Sequence, residues 1–575
     1  MIRKLTPYLR GYRREIWLSV LCSALESVFS LLIPLAMASI MDRGVQTGDL
    51  GYTVRLGLVM VLMALLVVAA GIYSMKFATR AGLGLGTSLR SAAYGRIQTF
   101  SFENLEHFGT ASLITRLTTD VTTIQTTTIQ TIKYLVRAPS MMLFSVIFSF
   151  LISPRLAWMF VALIPVVTIA IVLVIWKLRP LYQKMQRSID QMNQVVQENI
   201  VGIALVKIFG RQKQQKDLFA HSNAMVYTTS DRAMGLSVLA SPLGNAILYT
   251  GTVLLYWYGG RDIIAGGLMV GQLSSLSAYL ADILSRVVML ANLSVLISRS
   301  LVSFQRILEV LQTEPSIADG AEEGRFEQGT IRFEDVSFGY AGSPTLITGL
   351  NLEIPAGQSV GIIGATGAGK TTLVSLIPRL YDVSGGRILV GGRDLRDYPL
   401  DVLRREIAFV PQTSMLFSGS VAENLRWGNP EATMDQIQTA CRAACADNFI
   451  QAMPQGYDTP IGQGGGNLSG GQRQRLCVAR AILKNPRILI LDDAASAVDM
   501  ATDAAMTRAF QTLLPGTTKL IIAQRISSVA WADRILVLDK GAIVGDGTHE
   551  TLLQDCPLYQ QLCALQHVGE EAAYA

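Results

Sequence analysis

The residues best spaced for chemistry follow a short apolar run. Ser359-Val360-Gly361-Ile362-Ile363 reads as a buried strand, and Gly364-Ala365-Thr366-Gly367-Ala368-Gly369-Lys370-Thr371 comes directly after it. A glycine-rich loop between a strand and a helix turns successive backbone N–H groups inward, where they cradle phosphates at the positive end of the helix. Lys370 would reach the β- and γ-phosphates and Thr371 would ligate Mg²⁺, with Thr372 beside it in the same phosphate-binding run. A second apolar strand, Ile488-Leu489-Ile490-Leu491, ends in Asp492, a carboxylate suited to the Mg²⁺ shell. Between the two lies Asn467-Leu468-Ser469-Gly470-Gly471-Gln472. This Ser-Gly-Gly turn entering a helix supplies a second set of phosphate donors, and it need not serve the P-loop of its own chain. ATP and Mg²⁺ are therefore the expected cofactors.

Leu468–Gln472 resembles the signature of ATP-binding-cassette (ABC) proteins, and other marks of that family stand in order around it. Tyr340, in Val336-Ser337-Phe338-Gly339-Tyr340, looks like the aromatic that stacks on adenine. Gln412, in Val410-Pro411-Gln412, looks like the Q-loop glutamine that senses Mg²⁺ and couples to the membrane domain. Ser496-Ala497-Val498-Asp499 resembles the D-loop. Singly, Tyr340 could be a core aromatic and Gln412 a surface amide; the ordered set argues for the family. The whole chain resembles a type IV ABC half-exporter, including Arg116–Asp120 and Glu198–Arg211. The resemblance implies two nucleotide domains sandwiching two ATPs head to tail. Each site then uses one chain's P-loop and the other chain's signature, so a second half-transporter is the implied partner.

Three positions depart from the family pattern. The residue after the Walker B aspartate is usually Glu, the general base for the attacking water, and here it is Asp493. Its carboxylate is one methylene shorter and is expected to sit too far back to polarise that water. Gln524, in Ile521-Ile522-Ala523-Gln524-Arg525, occupies the place of the switch histidine. An amide can hydrogen-bond a γ-phosphate but cannot relay a proton. His549 lies too far along the chain to substitute and reads as surface structure. Gly462-Gln463-Gly464-Gly465 replaces the usual Gly-Glu-Arg-Gly and loses a charged pair. With the P-loop and signature intact, the pattern resembles the degenerate-site subunit of heterodimeric bacterial multidrug exporters: a site that binds ATP and hydrolyses it poorly, beside a different chain carrying Glu and His. The rivals are a slow homodimer, a lipid flippase, and a nucleotide-gated channel or sensor.

These residues need a scaffold, and composition says what kind. Of 575 residues, 50% are hydrophobic and only 16% charged, a deficit that places much of the chain in lipid. Six apolar stretches can cross a bilayer: Ile16–Met41, Leu56–Tyr73, Ala138–Ile152, Leu156–Trp176, Met234–Tyr258 and Leu273–Ile297. The basic residues concentrate in the N-terminal stretch and in the long second and fourth connections, including Lys76, Arg80, Lys177 and Lys207. The positive-inside rule then puts both termini in the cytosol of a multi-pass protein of the cytoplasmic membrane. Met1–Glu15 reads as an interfacial amphipathic helix. The long connections continue the helices past the membrane, interrupted at Glu106-His107-Phe108-Gly109 and at Gly202; each interruption could be a plain cytosolic loop or, as the resemblance implies, a short transverse helix. The domains expected are a transmembrane domain over 1–313, a linker over 314–329 and an α/β P-loop ABC nucleotide-binding domain over 330–575.

Net charge of +6 without a basic block argues against nucleic acid as a partner. The six cysteines lack metal-ligand spacing and read as free thiols. Lipid and an amphipathic small-molecule substrate remain as partners. Intramembrane charges are the candidates for substrate or gating roles. Glu26 could face a central cavity and favour cationic amphiphiles, or be hydrogen-bonded internally. Asp282 and Arg286, four apart on one helical face, are expected to pair with each other as a structural or gating unit.

Overall fold

The computed structural model describes residues 2–320, 324, 326–494, 496 and 498–574. Residues 321–323 and 325 of the expected linker, and Ala497 of the D-loop-like run, lie outside the described residues. The chain divides into two compact units, Met1–Gln98 with Thr110–Thr313, and Thr99–Gly109 with Glu314–Ala575.

The first unit is helical: α1 (Ile2–Leu9), α2 (Arg13–Ser39) and α3 (Leu50–Gln98), then, after α4 (Phe102–Phe108) of the second unit, α5 (Thr110–Thr115), α6 (Val121–Ile152), α7 (Pro154–Val201), α8 (Ile203–Ile208), α9 (Gln212–Val238), α10 (Ala240–Ile264) and α11 (Val270–Gln312). Among the described residues, six helical stretches are long and apolar enough to cross a membrane, and each contains one of the six expected spans. The 49 residues of α3 extend about 73 Å at 1.5 Å per residue, more than twice the ~30 Å of hydrocarbon, so the helix continues well outside the bilayer. The side chains of Leu58, Val61, Leu62, Leu65 and Val68 on α3 are exposed, as a lipid-facing surface must be. The dry interior is elsewhere: Leu31, Met141, Leu156, Phe160, Leu276 and Tyr279 bury together. Polar ties lock α11 to α2, with Ser275 Oγ donating to the Pro34 carbonyl (2.6 Å) and Tyr279 Oη to that of Leu31 (2.8 Å). Glu106–Phe108 form the last turn of the short helix α4, with Gly109 as its C-cap, and Gly202 stands before the short helix α8. Ser101 caps α4 in a reciprocal pair with Asn104.

The second unit is α/β. Its main sheet comprises β3 (Ser359–Gly364), β6 (Ile407–Val410), β9 (Ile488–Asp492), β10 (Thr518–Ile522), β11 (Arg534–Asp539) and β12 (Ala542–Gly547), in the order β12-β11-β3-β10-β9-β6. All neighbours are parallel except β11 and β12. The strands of a parallel sheet are covered on both faces, which is why β9 and β10 bury every residue. A second, antiparallel sheet runs β2-β1-β4-β5, from β1 (Ile331–Phe338), β2 (Ile347–Ile354), β4 (Gly385–Val390) and β5 (Arg393–Asp394). A small ribbon pairs β7 (Gly419–Ser420) with β8 (Pro460–Ile461). The helices α12 (Lys370–Ser375), α13 (Leu400–Glu406), α14 (Val421–Arg426), α15 (Met434–Ala443), α16 (Asp447–Gln451) and α17 (Gly470–Leu483) pack around these strands. In open parallel sheets, ligands bind beyond the carboxyl ends of the strands. Here β3 ends in the glycine loop, β9 in Asp492, and β6 and β10 lead into Gln412 and Gln524.

Candidate active site

The carboxyl ends of β3, β9 and β10 open into one cleft of about 410 Å³. Its walls include Gly364, Thr366, Gly367, Gly369, Lys370, Thr371 and Thr372 of the loop, together with Gln412, Asp492, Asp493 and Gln524. Gly364 and Gln524, 160 positions apart, thus converge because four parallel strands stop at one level. The loop's glycines are structural requirements. A Cβ on Gly364 would overlap the Leu538 carbonyl oxygen, and Gly369 caps α12 at φ 96°, a left-handed conformation that costs other residues strain. Lys370 Nζ donates to the carbonyls of Gly364 (2.8 Å) and Ala365 (2.9 Å), which stretches its side chain along the loop where phosphates would lie. Ala368 differs from its neighbours: it is buried and absent from the cleft wall, and its carbonyl accepts from Gly541 N–H (3.0 Å).

Thr371 Oγ1 donates to Asp492 Oδ1 at 3.1 Å, and Gln412 opens onto the same cleft. A hydroxyl, a carboxylate and an amide oxygen are hard donors of the kind Mg²⁺ takes alongside water and phosphate, so this set fits the ion. Burial holds the Asp492 carboxyl above the usual carboxylate range, and the neighbouring Asp493 adds to this, against the Thr371 hydrogen bond and Lys370. Burial likewise pushes Lys370 down, opposed by both aspartates. Charges raised in energy by desolvation are the ones that gain most from a polyanion and its cation.

Asp493 is held from several sides. Gln524 Nε2 donates to its Oδ2 at 2.9 Å and Gln412 Nε2 to the same oxygen at 3.4 Å. Its backbone carbonyl accepts from Gln474 Nε2 (2.9 Å) and Ser496 Oγ (2.9 Å), and its φ is 53°. Burial raises the Asp493 carboxyl while both amides, Lys370 and Arg525 lower it. Gln474, Ser496, Leu346 and Leu562 are contributors that motif spacing left unassigned to the cleft. Gln474, two residues past the signature, carried a positional signal; Leu562, far along the chain, carried none.

The signature stands apart from this cleft. Ser469, Gly470, Gly471 and Gln472 are absent from its wall. Ser469 caps α17, its Oγ accepting from Gln472 N–H (3.3 Å) while Gln472 Oε1 accepts from Ser469 N–H (2.9 Å). A Cβ on Gly470 would meet nothing within 4 Å, so the turn is open to a ligand. Tyr340 stands at the margin: its Oη lies 3.0 Å from Thr372 Oγ1 and its ring packs edge-on against Phe338 and Tyr381. Tyr381 Oη in turn donates to Glu106 Oε1 of α4 at 2.7 Å, so helix, aromatic pair and loop form one contact series. His549 Nδ1 lies 2.7 Å from Tyr559 Oη, a local tie away from the cleft.

In the first unit, Glu26 is 5% exposed and pairs with Arg137 of α6 at 2.9 Å. Arg137 directly precedes the expected span Ala138–Ile152, and no spacing in the sequence links it to Glu26. Asp282 and Arg286 pair with each other at 2.7 Å.

Residues 16–288 match the family model of the ABC transporter transmembrane region, and residues 347–496 that of the ABC transporter. An uncharacterized ABC transporter ATP-binding protein of Mycobacterium tuberculosis is 37% identical over 99% of both chains. The chain belongs to the ABC transporter family. An ATP-dependent lipid A-core flippase of Chromobacterium violaceum is 31% identical to this transporter over 99% of its length and 98% of the flippase's. The solved structure of a bacterial Atm1-family ABC exporter with ATP bound superposes with a TM-score of 0.81 at 25% identity, covering 96% of this chain and 98% of that one. With one membrane region and one ATPase domain, this ABC transporter is a type IV-like half-exporter, a multi-pass membrane protein of a kind that works as a dimer.

Proposed function

We propose that this half-exporter drives ATP-dependent export of amphipathic molecules as the degenerate-site partner of a different half-transporter. The carrying observation is the hydrogen bonding of Asp493. Its Oδ2 is engaged by Gln524 at 2.9 Å, a neutral amide with no proton to relay, at the position where the family's histidine stands. A short carboxylate clamped by amides is a poor base for an attacking water, whereas the phosphate loop and Mg²⁺ donors beside it are complete. The chain would therefore hold ATP at its own loop and lend Leu468–Gln472 to a competent site completed by the partner. Both termini lie in the cytosol on this reading. In the assembled heterodimer, Asp493→Asn is expected to leave most turnover intact, while neutralising the partner's catalytic glutamate abolishes it. Steady-state ATPase assays of the two variants decide the matter, and equal loss from both would overturn the proposal.

The cargo reading has two forms, multidrug and lipid. The names of relatives such as the 31%-identical lipid A-core flippase favour a lipid-like cargo. The ion pairing of Glu26 with Arg137 weakens any preference for cations based on a free intramembrane carboxylate.

A further inference from the structure

The paired ladder of β10 ends at Ile522, so Gln524 stands just beyond the sheet. Backbone groups past the end of a ladder need other partners where the chain stays packed. Here one side chain supplies two of them. Gln566 Nε2 donates to the Gln524 carbonyl at 2.7 Å, and Gln566 Oε1 accepts from the Ile526 N–H at 2.9 Å. A single amide thus brackets the extended residue Arg525, holding the acceptor before it and the donor after it. Gln566 lies on the helix Pro557–Tyr574, where Tyr559, Leu562, Cys563 and Gln566 share one face at spacings of three, four and seven. Tyr559 and Cys563 are buried together with Ile363, Ile526 and Val537, which anchors that face to the end of β3 and to the residue that closes the bracket. Leu562, one turn before Gln566, lines the nucleotide cleft itself.

What the bracket fixes is the direction of Gln524. Its Nε2 donates to Asp493 Oδ2 at 2.9 Å, and the residue lines the cleft with Lys370 and Thr371. An amide nitrogen carries two N–H groups, so with one on Asp493 the second can serve an acceptor in the cleft. A γ-phosphate held by Lys370 extends toward Asp493 and Gln524, whereas a diphosphate lacks the oxygens that would accept from this amide. A side chain reaches such an acceptor only if its own backbone is held still, and Gln566 holds it on both sides.

We propose that Gln566 is a positioning residue: it holds Gln524 so that this chain's cleft prefers a nucleoside triphosphate to the diphosphate. The role is the same whether the partner is a copy or a different chain, because it concerns the nucleotide at this chain's own loop. The test uses the purified transporter in its native assembly, on ice with Mg²⁺. Azido-ATP labelling of this chain is competed with AMPPNP or with ADP, and the ratio of the two half-displacing concentrations measures the preference. Gln566→Met keeps the length of the side chain and removes both hydrogen bonds. It should lower the preference for AMPPNP about tenfold, the worth of one hydrogen bond to a charged acceptor, with displacement by ADP unchanged. Gln524→Ala should lower it alike, and adding Gln566→Met to Gln524→Ala should change it by less than about twofold, because the two residues act as one unit. An unmodified chain without preference, either single variant retaining it, or equal weakening of both nucleotides would overturn the role. So would a second loss of about tenfold in the double variant, the mark of a brace that acts without Gln524. Should Gln566→Met not fold, Gln566→Glu, which keeps the acceptor for Ile526 and loses the donor to Gln524, carries the same comparison with the same expected coupling.

Discussion

At the scale of single residues, the site turns on one methylene and one ring. Asp493 and Gln524, joined by a hydrogen bond at Oδ2, stand where a longer carboxylate and an imidazole would provide reach toward the water and a group able to carry charge. Restoring both should therefore restore chemistry. In an assembly whose partner site has been silenced by neutralising its catalytic carboxylate, Asp493→Glu with Gln524→His is expected to raise ATP turnover at this chain's loop by about 10²-fold, at the low end of what a positioned base contributes. Single-turnover hydrolysis measures it. A double variant as slow as its parent would mean that something other than these two side chains limits the site. The sequence disclosed both substitutions because each falls inside an ordered motif with a fixed neighbour. It did not disclose the third glutamine on Asp493, Gln474 at its backbone carbonyl, because backbone acceptors leave no mark in a motif.

At the scale of elements, apolar run length located six spans, since a bilayer imposes a minimum length that composition reveals directly. Partnerships between helices were less legible. Asp282 and Arg286, four apart on α11, pair as their spacing requires, whereas Glu26 and Arg137 meet from different helices and share no periodicity. That second pair has a measurable consequence. Both side chains are largely buried, and removing one leaves an uncompensated charge, a loss of about 3–5 kcal/mol. Glu26→Leu or Arg137→Leu alone should lower the thermal transition of the detergent-purified transporter markedly, and the double substitution should recover most of it. If Glu26 instead served cargo, the double variant would be stable yet lose transport, which vesicle uptake would reveal.

For the whole molecule, the separation of signature from cleft carries the argument. The P-loop, Asp492, Asp493 and Gln524 share one wall, and Ser469–Gln472 are absent from it, so a single chain does not assemble a sandwiched site. Two consequences follow if the partner differs from this chain. Loss of the loop lysine, Lys370→Ala, damages only the site at this chain's own loop, where little hydrolysis is expected. Loss of the signature, Ser469→Arg, damages the site at the partner's loop, where most of it is expected. The signature variant should therefore reduce steady-state ATP turnover more than tenfold, while the lysine variant retains a substantial fraction of turnover and loses nucleotide retention at its own loop. Photolabelling with an azido-ATP, resolved by chain, assigns each loss to its site. A homodimer predicts no such difference, because every loop then belongs to a hydrolytic site facing an identical signature. Lys370→Ala would then be as damaging as Ser469→Arg, and the difference between the two variants, more than the size of either, measures how unequal the two halves are.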